Sequence, residues 1–312
     1  MAHTVTGVWQ MSLAMIISGS IGAFVLLSGL PVIDVVFWRC LIGALTLLGF
    51  ISFSRQPFSQ LTRLTLLLAI LGGIALVINW LLLFAAYARI SIGMATVVYN
   101  TQPFMLVLMG MLTGERVTLI KWGWLTLAFF GVVVLLSSEL MQAHGSQLAT
   151  GIALALGAAF FYALTAMIAR KLRPLPPQHI AFIQVIVGTI MLLPLVHAPD
   201  FTAAFPWHYL LILGIVHTGI MYQLLYSAIQ KLPTPITGTL SFIYPLVAMV
   251  VDYLLFHHAL TPVQLVGGLL ILFAAAGNNL GWGDRLASGH KNPARAGYNS
   301  AGPGDQRRAR TI

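Results

Sequence analysis

The segment GGIALVINWLLLFAAYAR, from Gly72 to Arg89, returns as GIVHTGIMYQLLYSAIQK, from Gly214 to Lys231, at a constant offset of 142 residues. Gly72/Gly214, Leu82/Leu224, Leu83/Leu225, Ala86/Ala228 and Pro103/Pro245 are identical across it, and Trp80/Tyr222, Phe84/Tyr226 and Arg89/Lys231 are conservative. The match extends at nearly the same offset to Phe37, Gly43, Leu47 and Leu48 against Phe182, Gly188, Leu192 and Leu193, and to Gly7 and Ala14 against Gly151 and Ala158. A repeat of this kind inside an apolar chain requires one unit to be built twice, and it points to transport more than to membrane residence alone.

The medium follows from the runs Thr65 to Ala88, Ile90 to Gly114 and Pro262 to Trp282, none of which carries a charge. A bilayer core of about 30 Å takes about 20 apolar residues as helix, and a helix satisfies its own backbone polar groups where lipid cannot. Only 7% of the 312 residues are charged, against about 25% in soluble proteins. The spacing predicts ten helices, over Val8–Ser28, Ile33–Phe53, Leu64–Tyr87, Ile92–Leu112, Lys121–Ser138, Thr150–Ala169, His179–Val196, His208–Ile229, Pro235–Phe256 and Pro262–Trp282. The single Cys40 excludes an intramolecular disulfide and reads as a small core residue. No Lys or Arg precedes the first apolar run, which argues for an uncleaved first helix.

Five helices per copy is an odd number, so the second copy enters the membrane the opposite way round. The expected fold class is an all-α membrane protein of ten transmembrane helices in two inverted five-helix repeats, residues 1–143 and 144–283, followed by a disordered basic cytoplasmic tail, 284–312. With both termini in the cytoplasm, Arg55, Arg63, Arg116, Lys121, Arg170, Lys171, Arg173, Lys231 and the six basic residues of the tail all lie inside. Only Arg89 then lies outside, as the positive-inside rule asks. This placement of charge in short loops and a tail argues against nucleic acid as the partner. Arg307, Arg308 and Arg310 are fewer than the four to eight charges typical of a lipid switch.

FWRCLIGALTLL around Arg39, NWLLLFAAYARISIGMATVV, QPFMLVLMGMLTGERVTL, and SAIQKLPTPITGTLSFIYPLVAMVVDYLLFHHALTPVQLVGGLLIL stand in an order and spacing that resemble the drug/metabolite transporter superfamily, in its EamA-type ten-helix branch, over about Gly7 to Trp282. The resemblance implies a multi-pass carrier of the bacterial inner (cytoplasmic) membrane, often an exporter, of small metabolites such as amino acids. His257 and His258 stand where the family often has an acidic residue after the ninth helix, and Gln184 takes the place of Arg39 in the second copy.

Arg39 and Asp252 are the charges most clearly inside predicted spans, both about 6–9 Å below the same face at about 1.5 Å per residue. Either they pair as a gate or coupling switch, or they snorkel to the interface. Asn79, Trp80, Tyr99, Asn100 and Gln102 on the third and fourth helices, with Tyr222, Gln223 and Tyr244 on the eighth and ninth and Tyr162 on the sixth, are the candidate substrate-binding set. Apolar walls with a few placed polar groups suit a small ligand, although Asn and Gln also serve as interhelical ties and Trp and Tyr as interfacial belts. His217 is a candidate proton carrier or a structural histidine. The resemblance makes Glu115 a structural or gating residue, and Pro103 and Pro245 interrupt repeat-related helices. His257 and His258 lack a third ligand at zinc-like spacing, so no metal and no cofactor is expected. The GxxxG pairs Gly110/Gly114 and Gly277/Gly281 are no more than 29 glycines give by chance.

No G-x-x-x-x-G-K-[ST] phosphate loop is present, which disfavours an ATP-driven pump. An intramembrane enzyme acting on a lipid or lipid-linked substrate lacks H-E-x-x-H and G-x-S-x-G here, and a sensor lacks an output domain. A nucleotide-sugar carrier stays an alternative within the transporter class, although the basic cavity it needs is hard to build from Arg39 alone. The reading is a secondary transporter, an exporter of small organic metabolites by alternating access, not an enzyme, with the lipid bilayer, a small-molecule substrate and protons as its partners. Substrate identity, direction, coupling ion and oligomeric state are not encoded legibly.

Overall fold

The computed structural model describes residues 2–54, 61–90, 92–137, 147–197, 205–256 and 261–283, without the side chains of 2, 3, 92–94, 252 and 256. They form ten helical spans: α1 (Ala2–Gly19, then Ile21–Ser28), α2 (Val32–Ser54), α3 (Arg63–Tyr87), α4 (Ile92–Tyr99, then Gln102–Leu112), α5 (Leu119–Leu135), α6 (Leu148–Lys171), α7 (Pro177–Leu192), α8 (Trp207–Gly214, a π-helical stretch Ile215–Ile220, then Met221–Lys231), α9 (Thr234–Ser241, then Ile243–Phe256) and α10 (Pro262–Leu280). Eight are long and apolar enough to cross a bilayer, and α5 and α7 are shorter apolar helices. The described residues contain no strand. Leu45, Leu108, Ile190, Leu254, Leu269 and Phe273 are exposed on the outside, as lipid rather than water demands.

Local chemistry sets the ends. Thr62 with Thr65 and Thr261 with Gln264 form capping boxes at α3 and α10, and Thr118 caps α5. Gly29, Gly114 and Gly281 have φ of 64°, 94° and 67°, the left-handed conformation that closes a helix. The second glycine of each GxxxG pair is therefore a helix stop. The predicted spans need adjusting at their ends: α1 starts at Ala2, six residues before Val8, α5 ends at Leu135 and α7 at Leu192. The tail 284–312 lies outside the described residues.

Cross-contacts sort the ends into two faces. At the near face, where α1 begins, Lys231 Nζ donates to Gln10 Oε1 at 2.7 Å, Glu115 meets Arg170, and Trp124 Nε1 donates to the Trp282 carbonyl at 3.1 Å. At the far face the Asp34 carboxylate accepts from the His197 backbone N–H at 3.0 Å, Phe24 meets Tyr209 edge-on at 6.2 Å, and Gly151 lies against Ile90. Thus α1 starts at the near face and its counterpart α6 at the far face, which is the inversion.

Packing repeats under exchange of the copies. The principal contacts of α3 with α6, of α4 with α6 and of α7 with α3 recur as α8 with α1, α9 with α1 and α2 with α8, while α2/α7, α4/α9 and α5/α10 pair with their own counterparts. The copies are interleaved: one group, α3, α4 and α6, and its mate, α8, α9 and α1, each draw on both. Alanines allow the closest of these approaches, with Ala155, Ala158, Ala159, Ala163 and Ala166 of α6 buried.

Two features break the symmetry. α1 is interrupted at Ser20, whose Oγ donates to the Ile17 carbonyl at 2.9 Å, and α6 is continuous. In α8, Thr218 Oγ1 donates to the Leu213 carbonyl at 2.9 Å and His217 Nδ1 lies 3.3 Å from the Ile212 carbonyl. Both reach five residues back, the register of a π turn. A Cβ on Gly43, Gly214 or Gly219 would stand 2.5, 2.4 or 2.6 Å from Thr218, Ile42 or Thr46, so glycine is what lets α2 and α8 touch here.

Candidate functional site

Trp80 and Tyr222, repeat equivalents, meet edge-on with ring centroids 5.9 Å apart. Equivalent residues that touch lie on the axis relating the copies, so the pseudo-two-fold passes between them. On one side the Arg39 guanidinium lies 4.2 Å from the Trp80 ring centroid, as a cation over an aromatic face. Its Nε donates to Thr218 Oγ1 at 3.2 Å and Nη2 to the His217 carbonyl at 3.4 Å. On the other side Tyr222 packs on Tyr226 at 5.4 Å, and the Tyr226 hydroxyl donates to Gln184 Oε1. A chain of contacts, Arg39, Trp80, Tyr222, Tyr226 and Gln184, thus joins a cation of the first copy to its neutral counterpart in the second.

Arg39 is 1% exposed, which removes the snorkelling reading. Asp252 sits on the described backbone of α9, but its side chain lies outside the described residues, as do His257 and His258. Tyr99 and Tyr222 lie within electrostatic reach of the guanidinium. Tyr99 also packs on Tyr162 at 6.1 Å and lies 3.2 Å from Asn79 Nδ2, which donates to the Ala158 carbonyl at 2.7 Å. The hydroxyls of Tyr87, Tyr244 and Thr96 share hydrogen bonds, linking α3, α4 and α9.

Of the candidate binding residues, Trp80, Tyr99, Tyr162 and Tyr222 converge with Arg39 around the axis. Asn79 is an interhelical tie beside them, and Tyr244 belongs to the neighbouring hydroxyl set. Asn100 Nδ2 is spent on the Thr96 carbonyl at 2.7 Å, whereas Asn100 Oδ1 and Gln102 Oε1 are buried without a protein partner among the described residues. Gln223 makes no hydrogen bond or ring contact among them and is half-buried. Both prolines follow helix breaks at equivalent places, Pro103 after Asn100–Thr101 and Pro245 after Phe242. His217 is 2% exposed, with Nε2 at 2.8 Å from Ser20 Oγ and its ring 5.2 Å from Phe24.

Glu115 lies at the near face. Its carboxylate pairs with Arg170 of α6 and accepts from the Thr234 backbone N–H of α9 at 3.2 Å and from Thr234 Oγ1. Arg170 Nη1 donates to the Leu232 carbonyl at 3.0 Å, and Gln230 Nε2 to the carbonyls of Leu172 and Leu175 at 3.3 and 3.2 Å. This latch joins the α3/α4/α6 group to the α8/α9/α1 group. Arg170, Thr234, Thr218 and Tyr226 were not candidates from sequence, because each is defined by a partner on a distant helix.

Replacing Asn79 by Ala is expected to lower unfolding free energy by about 0.6–1.7 kcal/mol, the range of membrane interhelical hydrogen bonds. Denaturant titration in mixed micelles reads it, and a loss above about 3 kcal/mol would show Asn79 to be more than a tie.

Among the described residues, an interleaved bundle of ten apolar helices with Arg39 and several polar aromatic groups gathered near its axis has the architecture of a multi-pass membrane transporter. The sequence matches the EamA-like transporter family over residues 5–137 and again over 149–280, and the chain belongs to that family, within the drug/metabolite transporter superfamily. It is 31% identical to the uncharacterized transporter YxxF of Bacillus subtilis over 79% of this chain and 81% of that one. It is 27% identical to the threonine/homoserine exporter RhtA of Escherichia coli K12 over 78% and 80%. A solved crystal structure superposes with a TM-score of 0.75 at 17% identity, over 89% of this chain and 98% of its own, and shares the fold.

Proposed function

We propose that this chain is a secondary carrier that exports small organic metabolites, amino acids or their relatives, across the bacterial cytoplasmic membrane by alternating access. The near face is taken as the cytoplasmic one, because the loops there carry the basic residues. The observation that carries the reading is the near-face latch, Glu115 with Arg170 and Thr234, closing one end of a seam between two three-helix groups whose middle holds Arg39 and the aromatic set. Breaking the latch frees the near face without disturbing the α3/α6 and α8/α1 packing inside each group. Residues 1–143 and 144–283 act as structural repeats, but the moving groups are mixed. The paired breaks before Pro103 and Pro245 supply bending points in α4 and α9. The homology to a threonine/homoserine exporter supports the substrate class.

His217 suits proton coupling. As a cation it donates from Nε2 to Ser20 Oγ, whose proton goes to the Ile17 carbonyl; when neutral, with its proton on Nδ1, it accepts from the Ser20 hydroxyl. Both states are hydrogen-bonded, so the proton can come and go without orphaning a group.

The test is counterflow in liposomes of purified protein against threonine, homoserine, other amino acids, nucleosides and cationic drugs, with and without a pH gradient. Exchange of at least one amino acid is expected, faster with the gradient in wild type and independent of it in His217→Gln. No exchange of any compound would overturn the carrier reading.

A further inference from the structure

Arg39 is buried at 1% exposure, and among the described side chains no carboxylate lies within ion-pair distance of it. A cation at such a depth is costly without a counter-charge or a wet site. The fold nevertheless fixes its orientation. Trp80 covers one face of the guanidinium at 4.2 Å, and the π-helical stretch of α8 supplies the acceptors for Nε and one Nη2 proton, Thr218 Oγ1 and the His217 carbonyl. Of the five guanidinium N–H groups these two are spent, which leaves three with no described protein acceptor. Glycines at 43, 214 and 219 bring α2 and α8 close enough for this.

The arrangement is thus a positive fork held against an aromatic plate, with its remaining N–H groups unused among the described residues. A carboxylate is the complementary ligand, because its two oxygens accept the parallel N–H pair of a guanidinium. Tyr99 and Tyr222 lie within electrostatic reach of the same group. The second copy cannot provide the same site: its equivalent, Gln184, is neutral, its Oε1 is taken by Tyr226, and its Nε2 sits over Gly72.

We propose that Arg39 is the anchor for the carboxylate of the transported solute, one carboxylate per cycle, with Trp80, Tyr99 and Tyr222 around it. This deepens the carrier reading and rests on it. It also assigns the asymmetry between Arg39 and Gln184 to substrate selection.

The test uses matched competitors that differ only at the carboxylate: threonine and threoninol, and phenylalanine and phenylalaninol. Each is measured as an inhibitor of counterflow in proteoliposomes and as a shift in melting temperature of the purified protein. Wild type is expected to favour the carboxylate member of a pair by about 10- to 100-fold, the worth of a charge-assisted hydrogen bond. Arg39→Gln is expected to lose that preference, and Arg39→Lys to keep part of it, each checked for folding by gel filtration and circular dichroism. Should Arg39→Gln misfold, the wild-type preference and its retention in Arg39→Lys decide. Equal inhibition by both members in wild type, or full preference in folded Arg39→Gln, overturns the anchor and leaves the carrier intact. Movement of no compound by wild type overturns both.

Discussion

Glu115→Ala is expected to open the near face, lower stability by about 2–4 kcal/mol and reduce exchange in liposomes at least about tenfold. Removing one member of a buried ion pair costs about 3–5 kcal/mol, and the estimate is set lower here because both side chains keep contact with water, at 16% and 21% exposure. Besides Arg170, the backbone N–H and hydroxyl of Thr234 lose their acceptor. The carboxylate ties one three-helix group to the other, so its loss weakens one end of the seam. Thr237, 2% exposed and one turn into α9, reports on this: in a Cys40→Ala background, Thr237→Cys is expected to react with a membrane-impermeant maleimide faster when Glu115 is Ala. The double variant Glu115→Gln with Arg170→Gln is expected to be more stable than the two single losses add up to, since neither charge is left alone. Additive losses and unchanged labelling would show the pair to be a surface contact.

Gly267→Ala is expected to be the most damaging single-methyl change in the bundle. An added Cβ would stand 2.5 Å from the Leu135 backbone nitrogen and 2.7 Å from the Gly131 carbonyl oxygen, so the collision is with backbone and no rotamer relieves it. The α5/α10 pair must separate, at the upper end of the about 1–3 kcal/mol seen for overpacked cores. Gly22 and Gly49 have open space where a Cβ would go, and Ala there is expected to be neutral or stabilising by up to about 1 kcal/mol through helix propensity. Thermal unfolding of the three variants checks the order. Equal melting temperatures would mean that α5 and α10 do not meet as closely as described.

The ten spans and their inversion could be read from hydropathy and the repeat because both are properties of single segments and their order. Partners across the bundle could not. An offset of 142 says that Trp80 and Tyr222 are equivalent, and only their place on the axis makes equivalence into contact. The same offset does not bring Glu115 to Arg170, which lie just after α4 and at the end of α6. Arg39 is legible as a charge inside a span, with pairing and snorkelling both open, while its burial and its acceptors depend on a π turn that hydropathy does not record. The glycines flanking that turn, Gly214 and Gly219, were a signal of close approach that a reading by polarity passes over. Polarity also misplaced the start of α1, where Thr4 and Thr6 read as loop and continue the helix.

The interleaving of the copies has a consequence for how the molecule is made. A ribosome delivers α1 to α5 before any of α6 to α10, yet α1 finds its main neighbours in α8 and α9 and α3 finds its own in α6 and α7. During synthesis Arg39 waits for Thr218, Asn79 for the Ala158 carbonyl and Glu115 for Arg170 and Thr234. The first five helices are thus inserted before the partners of these polar groups exist. Assembly is completed only when the last helices thread among the first, so the order of insertion and the order of packing differ.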